Sequence, residues 1–284
     1  MKKYLFTLVA MMIVGIHAQA QNFLDFYRNG QVVSSVRAAD IDSMVIGTSS
    51  ENRAVYFYKG GNIFHYMATA SVDSVKVFSS HGASGYVDLG LPSGTLWATC
   101  NIGADYPEDY GDYFAWGETK GYNSGKTNFS WSTYQWCNGS YNTLTKYNKN
   151  SGNGTVDNKT ELDLEDDAAY VNWGPEWRMP SKAQFEELIN SSYTTTEWTT
   201  LNGVKGRKIT SKKNGNSIFL PAAGFRYDSS LSERGSYGHY WSRTLSSGGP
   251  GLAWYLGFTS NYIYTSGSGY RYWGQSVRPV RLSE

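Results

Sequence analysis

The chain has 284 residues, with 25 Lys and Arg against 24 Asp and Glu, and a formal net charge of +1. Such a chain lacks the basic face that binding to a phosphate backbone requires, so the composition argues against a nucleic-acid partner. Aromatic residues make up 16% of the chain and charged residues 17%, which favours a packed core over disorder and leaves many aromatic side chains for a surface.

Residues 1–20 have the pattern of a secretory signal peptide. Lys2 and Lys3 give a positive start, an apolar run extends to Ile16, and a small-x-small cleavage site ends at Ala20. The apolar run is too short to span a bilayer comfortably, and no later stretch is long and apolar enough. We therefore expect an exported protein (periplasmic, on the outer-membrane surface or extracellular) with no membrane span after signal removal.

The next segment, residues 21–79, contains an internal repeat. Residues 24–46 align with residues 55–77 at a constant offset of 31 residues and without a gap. Residues 28–30 and 59–61 supply turn sequences for a tight hairpin, and each unit then closes with an Asp-Ser-aliphatic strand. Two copies are too few for an open solenoid, so the pattern predicts one small, duplicated, all-β module.

A small, polar linker at residues 80–85 precedes the remainder of the chain, where the clearest helix start lies at Ser181. Ser181 is suited to cap the helix, and Gln184 follows at capping-box spacing. Phe185 and Leu188 then share one apolar face. Because the flanking sequence lacks helical periodicity, the pattern predicts one main helix against short strands, which is an α+β domain.

Other elements are shorter. A helix is predicted over residues 163–171, because its carboxylates crowd the N-terminal end, where the helix dipole favours them. Residues 119–160 are polar and read as long loops. Strands are predicted at Val204–Ser211, Ser217–Leu220, Tyr240–Ser242, Ala253–Phe258 and Ser276–Val280.

Five blocks of sequence occur in a characteristic order. They are Tyr86–Ala98, Tyr110–Glu118, Trp177–Ser181, Phe219–Gly224 and Ser276–Val280. In this order they resemble the Fibrobacter succinogenes major paralogous domain, a family of bacterial secreted proteins, over residues 86–281. That family is similar to C-type-lectin-like folds and, more distantly, to the formylglycine-generating enzyme fold. The resemblance implies a C-type-lectin-like α+β domain at residues 86–284, with Val277–Val280 beside Val87–Leu89.

Catalytic motifs are absent from the sequence. After the signal peptide the histidines are His65, His81 and His239, which are scattered and do not match metal-site spacings. The formylglycine-generating enzymes act through cysteines in their C-terminal part, and no cysteine follows Cys137 here. We therefore expect a protein that is not an enzyme and that carries no cofactor and no metal.

Two acidic groups leave alternatives open. Asp109, Asp112 and Glu118 lie in an aromatic stretch, which is compatible with glycoside cleavage, although pairing of one of them with Arg178 explains the group as well. The run at residues 163–167 is suited to Ca²⁺, although helix capping explains it too.

Cys100 and Cys137 are the two cysteines of the chain. In an exported protein an even pair predicts a disulfide, with two buried free thiols as the alternative.

The segment Gly235–Arg281 points to a function. Its 47 residues include nine Gly, eight Ser, seven Tyr and three Trp, and no acidic residue. Tyr gives rigid contact area at low entropy cost, while Ser and Gly give adaptable polar contacts, as in antibody binding loops. The predicted ligand-binding residues are Tyr255, Tyr262, Tyr264, Tyr270, Arg271 and Tyr272.

These patterns predict a cell-surface or secreted binding protein, with a role in adhesion, that recognises a glycan or a surface protein through its C-terminal loops. The alternative is a structural envelope or fimbrial subunit with no small ligand, whose aromatic side chains mediate assembly.

Overall fold

The structure is a computed structural model that describes residues 23–28, 31–37, 41, 43–46, 54–68, 74–78 and 85–282. The predicted signal peptide, His81 and most of the linker lie outside the described residues. The chain divides into two compact units, Met1–His81 and Gly82–Glu284. Within the described ranges, no helix has the length and apolar character needed to cross a membrane.

The fold is all-β, and the predicted α+β class is wrong. Strands account for 39% of the structure and helices for 13%. The α-helices of the described residues are α1 (Ala168–Trp173) and α2 (Lys182–Leu188). The predicted main helix is present as α2, but it makes only about two turns, while β-hairpins supply most of the regular structure.

The strands of the described residues form five three-stranded sheets and one two-stranded sheet, all antiparallel. In chain order they are β1 (Phe23–Arg28), β2 (Gln31–Arg37), β3 (Ser43–Ile46), β4 (Ala54–Lys59), β5 (Asn62–Ala68), β6 (Ser74–Phe78), β7 (Tyr86–Asp88), β8 (Thr95–Ala98), β9 (Thr194–Leu201), β10 (Val204–Ser211), β11 (Ser217–Pro221), β12 (Phe225–Tyr227), β13 (Ser230–Ser232), β14 (Gly238–Leu245), β15 (Leu252–Phe258), β16 (Ile263–Tyr270) and β17 (Val280–Leu282).

In the first unit the two repeats exchange their closing strands. The β1–β2 hairpin of the first repeat pairs with β6 of the second, and the β4–β5 hairpin of the second repeat pairs with β3 of the first. Tyr27 lies opposite Ser74, and Tyr58 lies opposite Ser43, so the two pairings have the same register at the 31-residue offset. Neither repeat closes its own sheet, so each requires the other.

The core of this unit lies where equivalent residues of the two repeats meet. Phe26 and Phe57 are related by the repeat, and they are 1% and 0% exposed. Their rings pack edge to face, with centroids 5.5 Å apart. Equivalent side chains meet in this way close to an approximate two-fold axis. Their contact joins the two hairpins in one core.

In the second unit the sheet β14–β15–β16 is covered on both faces. One face packs into a cluster that includes Trp116, Trp241 and Ala253. The other packs into a cluster that includes Tyr240 and Leu256. Because side chains alternate along a strand, the neighbours Tyr240 and Trp241 enter opposite clusters.

The helix at Ser181 begins as the sequence predicts, whereas α1 begins at Ala168 and not at residue 163, because Leu164–Asp166 forms a separate 3₁₀ turn. Ser181 Oγ accepts a hydrogen bond from Gln184 N, and Ser181 N donates to Gln184 Oε1, which completes the capping box of α2. The buried carboxylate of Asp167 caps α1 through Ala169 N and also accepts from Met179 N. This carboxylate therefore joins the start of α1 to the segment that leads into α2.

The chain ends in the sheet with order β17-β8-β7. Val280 pairs with Trp97, so the last strand lies beside β8 and not beside Val87–Leu89 as predicted. The prediction failed because β8 occupies the central position of this sheet. The fully buried Arg278 secures the chain end through Asn101 Oδ1 at 2.9 Å and Phe219 O at 2.9 Å.

Because the repeats share one core, Phe57→Ala should destabilise both hairpins of the first unit. We expect the free energy of unfolding to fall by about 3–5 kcal/mol, the usual range for truncation of a buried Phe. Hydrogen exchange should show lost protection in β1 as well as in β4. The control Ile63→Ala, at a side chain that is 51% exposed, should change stability by about 0.5 kcal/mol or less. Loss confined to β4 and β5 would contradict the shared core.

Candidate ligand-binding surface

Aromatic side chains from separate parts of the second unit meet at its surface. We call this the aromatic surface, and it consists of Trp131, Tyr141, Tyr227, Tyr270 and Tyr272. The ring of Trp131 lies 4.8 Å from that of Tyr272 and 5.7 Å from that of Tyr141. Tyr270 stacks on Tyr272 at 5.6 Å, and Tyr227 lies 6.1 Å from Tyr272. The surface is therefore continuous.

The members of the aromatic surface differ in exposure. Tyr227 and Tyr270 are 46% and 43% exposed, whereas Tyr272 is 7% exposed and lies beneath them. Trp131 and Tyr141 are half-buried. Burial raises the pKa of the Tyr272 hydroxyl. Rings with one side supported by the protein and the other open to solvent offer apolar contact area that is already in position.

Trp131 and Tyr141 are placed by the same local device. Each is the first residue of a single-turn 3₁₀ helix, Trp131–Thr133 and Tyr141–Thr143. Each turn is closed by a Ser–Thr capping box, in which Ser130 N donates to Thr133 Oγ1 at 3.3 Å and Ser140 N donates to the equivalent Thr143 atom at 3.2 Å. Sequence reasoning missed both aromatics. The signal that could have found them is the pattern Ser-aromatic-x-Thr, which occurs twice within this loop region.

The backbone at Gly251 lies close to the rings of Tyr141 and Trp131 in the aromatic surface. A Cβ atom at Gly251 would overlap the Tyr141 ring and lie 3.2 Å from Trp131 Cη2. The absence of a side chain at this position thus lets the loop that carries Gly251 pack directly against both rings.

Arg271 lies in a turn between Tyr270 and Tyr272. Trp273 N donates to Tyr270 O at 2.9 Å, which closes this turn at the end of β16, and the rings of Tyr270 and Tyr272 stack 5.6 Å apart. The Arg271 side chain is fully buried, so the prediction that it contacts a ligand is wrong. The polar groups that surround its guanidinium explain this burial.

Arg271 is held by four oxygen atoms of the protein. Its guanidinium donates to Tyr134 Oη at 2.9 Å and to the carbonyl oxygens of Lys146, Tyr147 and Pro250 at 3.0, 3.3 and 2.9 Å. It also lies 5.0 Å from the Trp116 ring centroid. A buried guanidinium needs such partners, and the planar group serves several loops at once.

The other predicted tyrosines lie elsewhere. Tyr262 is 67% exposed and lies just before β16, whereas Tyr270 is the last residue of that strand. Tyr255 and Tyr264 are half-buried on one face of the sheet, with hydroxyls 3.5 Å apart. The Tyr264 hydroxyl also contacts that of Tyr237. The six predicted residues are therefore not brought together into one site.

The sheet-face tyrosines surround a buried imidazole. His239 stacks on Tyr237, with ring centroids 4.3 Å apart, and its Nε2 lies 3.1 Å from Glu233 Oε2. Burial lowers the pKa of His239, and the contact with Glu233 opposes this without reversing it. Burial also raises the pKa of Tyr264 to about 12, so its hydroxyl stays protonated at neutral pH.

The predicted disulfide is not formed, since Cys100 and Cys137 are both free and buried. The Cys100 thiol donates to Ala104 O at 3.3 Å, and the Cys137 thiol to Trp131 O at 3.1 Å. Each thiol is thus paired locally within its own loop. Burial raises the pKa of Cys100 to about 11, which keeps it protonated at neutral pH.

The acidic run contains a lysine at its centre. Carboxylate oxygens of Asp163, Glu165 and Asp166 lie within 4.8 Å of one another, a spacing suited to a cation. Lys146 Nζ lies 2.6 Å from Asp163 and 2.6 Å from Asp166. Although burial lowers the pKa of Lys146, hydrogen bonds to these carboxylates raise it further, so the charged ammonium offsets part of their negative charge.

The three carboxylates considered for glycoside cleavage each have their own partners. Asp109 accepts from Tyr106 N at 3.0 Å, and Asp112 accepts from Tyr113 N at 2.7 Å. Glu118 pairs with Lys126 at 2.6 Å. None of these contacts involves Arg178, whose guanidinium lies over the Tyr170 ring instead.

Comparison with known families gives one match. A family model described as a domain of unknown function, DUF8237, matches residues 193–282. The matched part takes in strands β9 to β17, and with them Tyr227, Tyr270 and Tyr272, but neither Trp131 nor Tyr141. No curated protein sequence and no solved structure matches the chain.

Arg271→Met should destabilise the second unit, because it leaves four buried oxygen atoms without their donor. We expect a loss of about 3 kcal/mol or more in the free energy of unfolding by urea. The matched control is Arg234→Met, at an exposed arginine whose contact is with the Tyr110 ring, and it should cost about 0.5 kcal/mol or less. Equal losses in the two variants would contradict the anchoring role of Arg271.

The second unit should also lose stability on mild acidification through His239. Its pKa is lowered from 6.5 in the folded state, so below pH 6.5 the unfolded chain binds the proton more readily and the free energy of unfolding falls. Urea midpoints measured from pH 7.5 to 5.5 should fall more steeply for the parent than for His239→Asn. Parallel slopes, or a parent that gains stability in this range, would contradict this assignment.

Proposed function

We propose that the protein is an exported carbohydrate-binding protein whose aromatic surface stacks against the sugar rings of a glycan. The observation that carries the proposal is the arrangement of Trp131, Tyr141, Tyr227 and Tyr270 around Tyr272, with ring centroids 4.8–6.1 Å apart. The C–H faces of sugar rings pack on aromatic faces, while tyrosine hydroxyls at the ring edges can meet sugar hydroxyls.

Preorganisation supports this function. Trp131 and Tyr141 lie on turns closed by capping boxes, and Tyr270 and Tyr272 flank the buried Arg271. Groups that are already fixed lose little conformational entropy on binding, so more of the contact energy appears as affinity. An aromatic surface that served only to fill the core would not leave Tyr227 and Tyr270 more than two-fifths exposed.

Membership in the Fibrobacter succinogenes major paralogous domain family is part of this proposal. The match to DUF8237 supports only a family of unknown function for residues 193–282. The contacts of the last sequence block support the placement of the blocks in one domain. Val280 pairs with Trp97 and with Arg178, and Arg278 donates to Phe219 O, so this block contacts three others that are distant in sequence.

Export to the periplasm, the outer-membrane surface or the medium is supported by the composition of residues 1–20. A surface or secreted location is where a glycan-binding protein meets its ligands.

The test uses the full mature chain and immobilised hexasaccharides of glucose, mannose, xylose, galactose and galacturonate. The variant Tyr227→Ala with Tyr270→Ala removes exposed rings without touching the buried Tyr272. We expect the parent to bind one or more neutral hexasaccharides, and the variant to bind at least about tenfold more weakly.

The matched control is Tyr262→Ala, at a tyrosine that is 67% exposed and lies outside the aromatic surface. It should bind as the parent does. Absence of binding by the parent, together with concentration-dependent self-association in light scattering, would favour a structural subunit instead. Equal binding by parent and double variant would show that the aromatic surface is not the site.

A further inference from the structure

A polar cleft is built into the loops that precede Trp131. Its volume is about 500 Å³, and Glu118, Lys120, Ser124, Lys126 and Thr133 are among the residues that line it. Unlike the aromatic surface, it is lined mainly by charged and hydroxyl-bearing residues. It is large enough for a single sugar residue with its hydroxyl groups.

A nearly buried ion pair lies in this cleft. Glu118 Oε2 and Lys126 Nζ are 2.6 Å apart, and the two side chains are 7% and 11% exposed. The second carboxylate oxygen accepts from Gln135 N at 2.8 Å, and Lys126 Nζ donates to Thr133 O at 3.0 Å. Removing such charges from water is costly and often contributes no net stability, so a pair at this position calls for a role in the cleft.

The ion pair retains unused hydrogen-bonding capacity toward the cleft. An ammonium has three donors, and the contacts with Glu118 and Thr133 use two of them. An ionised carboxylate has about four acceptor positions, of which the contacts described use two. A hydroxyl group that donates to Glu118 and a neighbouring hydroxyl that accepts from Lys126 would match this pair. Vicinal hydroxyls of this kind are the common feature of sugars.

The charges favour a neutral ligand. Glu118 and Lys126 balance each other, so a neutral polyol meets one acceptor and one donor without net repulsion. A carboxylate-bearing sugar would place its charge beside Glu118. Lys120, an exposed residue at this cleft, is the one feature that favours an acidic sugar, and the experiment includes this case.

The cleft and the aromatic surface share a structural element. The 3₁₀ turn Trp131–Thr133 carries the Trp131 ring in the aromatic surface and lines the cleft with Thr133. Lys126 Nζ also lies 5.7 Å from the Phe129 ring centroid, and Phe129 belongs to the same buried cluster as Tyr272. A chain of sugars with one residue stacked on Trp131 could therefore place another residue in the cleft.

We propose that the cleft at Glu118 and Lys126 is a second subsite for the same glycan, which binds a neutral sugar residue through vicinal hydroxyls. The proposal rests on the proposed function, because it takes the ligand to be a glycan held by the aromatic surface. It adds the class of sugar, which is a neutral residue, and the side chains that bind this residue. It also gives the nearly buried pair a binding role.

The experiment measures affinity by calorimetry for the same five hexasaccharides, with Glu118→Gln, Lys126→Met and Ser124→Trp in the full mature chain. The first two variants remove one charge each and leave a buried partner. Ser124→Trp fills the cleft from an exposed position without touching the ion pair. We expect each variant to lose about tenfold or more in affinity for the neutral hexasaccharide that the parent binds.

Ser191→Trp is the matched control, at an exposed serine outside the cleft and the aromatic surface, and it should bind as the parent does. Circular dichroism and the thermal midpoint separate loss of binding from loss of fold, and Ser124→Trp keeps the test decisive if the charge variants unfold.

Three outcomes would overturn the proposal, and they are distinguishable. If the aromatic variant loses binding while folded Ser124→Trp binds as the parent does, the proposed function stands and the cleft is not a subsite. If the parent prefers hexagalacturonate, and this preference is lost in Lys120→Gln, the cleft takes an acidic sugar instead. If the parent binds none of the five, both the proposed function and the subsite are wrong.

Discussion

The loops of the second unit depend on the burial of Arg271. Four protein oxygens from residues 134, 146, 147 and 250 converge on this one guanidinium, which no water molecule can reach. Each loop would otherwise have to satisfy its polar backbone alone, at a free-energy cost. The fully buried Arg278 does the same at the chain end, again through carbonyl and amide oxygens and not carboxylates. The planar group, with its five donors, can tie together segments that have little regular structure of their own.

This anchoring has a direct consequence for the surface. The turn in which Trp273 N donates to Tyr270 O carries the buried arginine, and it places the Tyr270 and Tyr272 rings 6.1 and 4.8 Å from that of Trp131. The Ser–Thr capping boxes supply the other half of the arrangement, since they fix Trp131 and Tyr141 without a long helix or strand beneath them. The aromatic surface is therefore held by polar contacts of irregular segments, which explains how a loop-borne surface can be rigid.

Local patterns in the sequence predicted local structure well. The α2 cap at Ser181 and the strand at Val204–Ser211 depend on neighbouring residues, and they are present. What failed depended on distant pairing. The all-β class is set by contacts between residues that are far apart in the sequence. The same holds for the place of β17 beside β8 and for the exchange of strands between repeats. Hydrophobic periodicity gives no information on such contacts. Arg271 was misjudged because composition treats Tyr-Arg-Tyr as one exposed group, whereas oxygen atoms of residues 134, 146, 147 and 250, which are distant in sequence, hold the arginine in the interior.

The aromatic side chains that fill the core differ in exposure from those of the aromatic surface. Trp97, Trp116 and Trp241 are completely buried, and their size fills the clusters around the central sheets. The rings of the aromatic surface are instead buried on one side and open on the other, and the polar cleft lies against the same 3₁₀ turn. A fold that needed aromatic residues only for volume would bury them as it buries these tryptophans. The half-exposed rings are fixed by contacts that the core does not require, so packing alone does not explain their exposure.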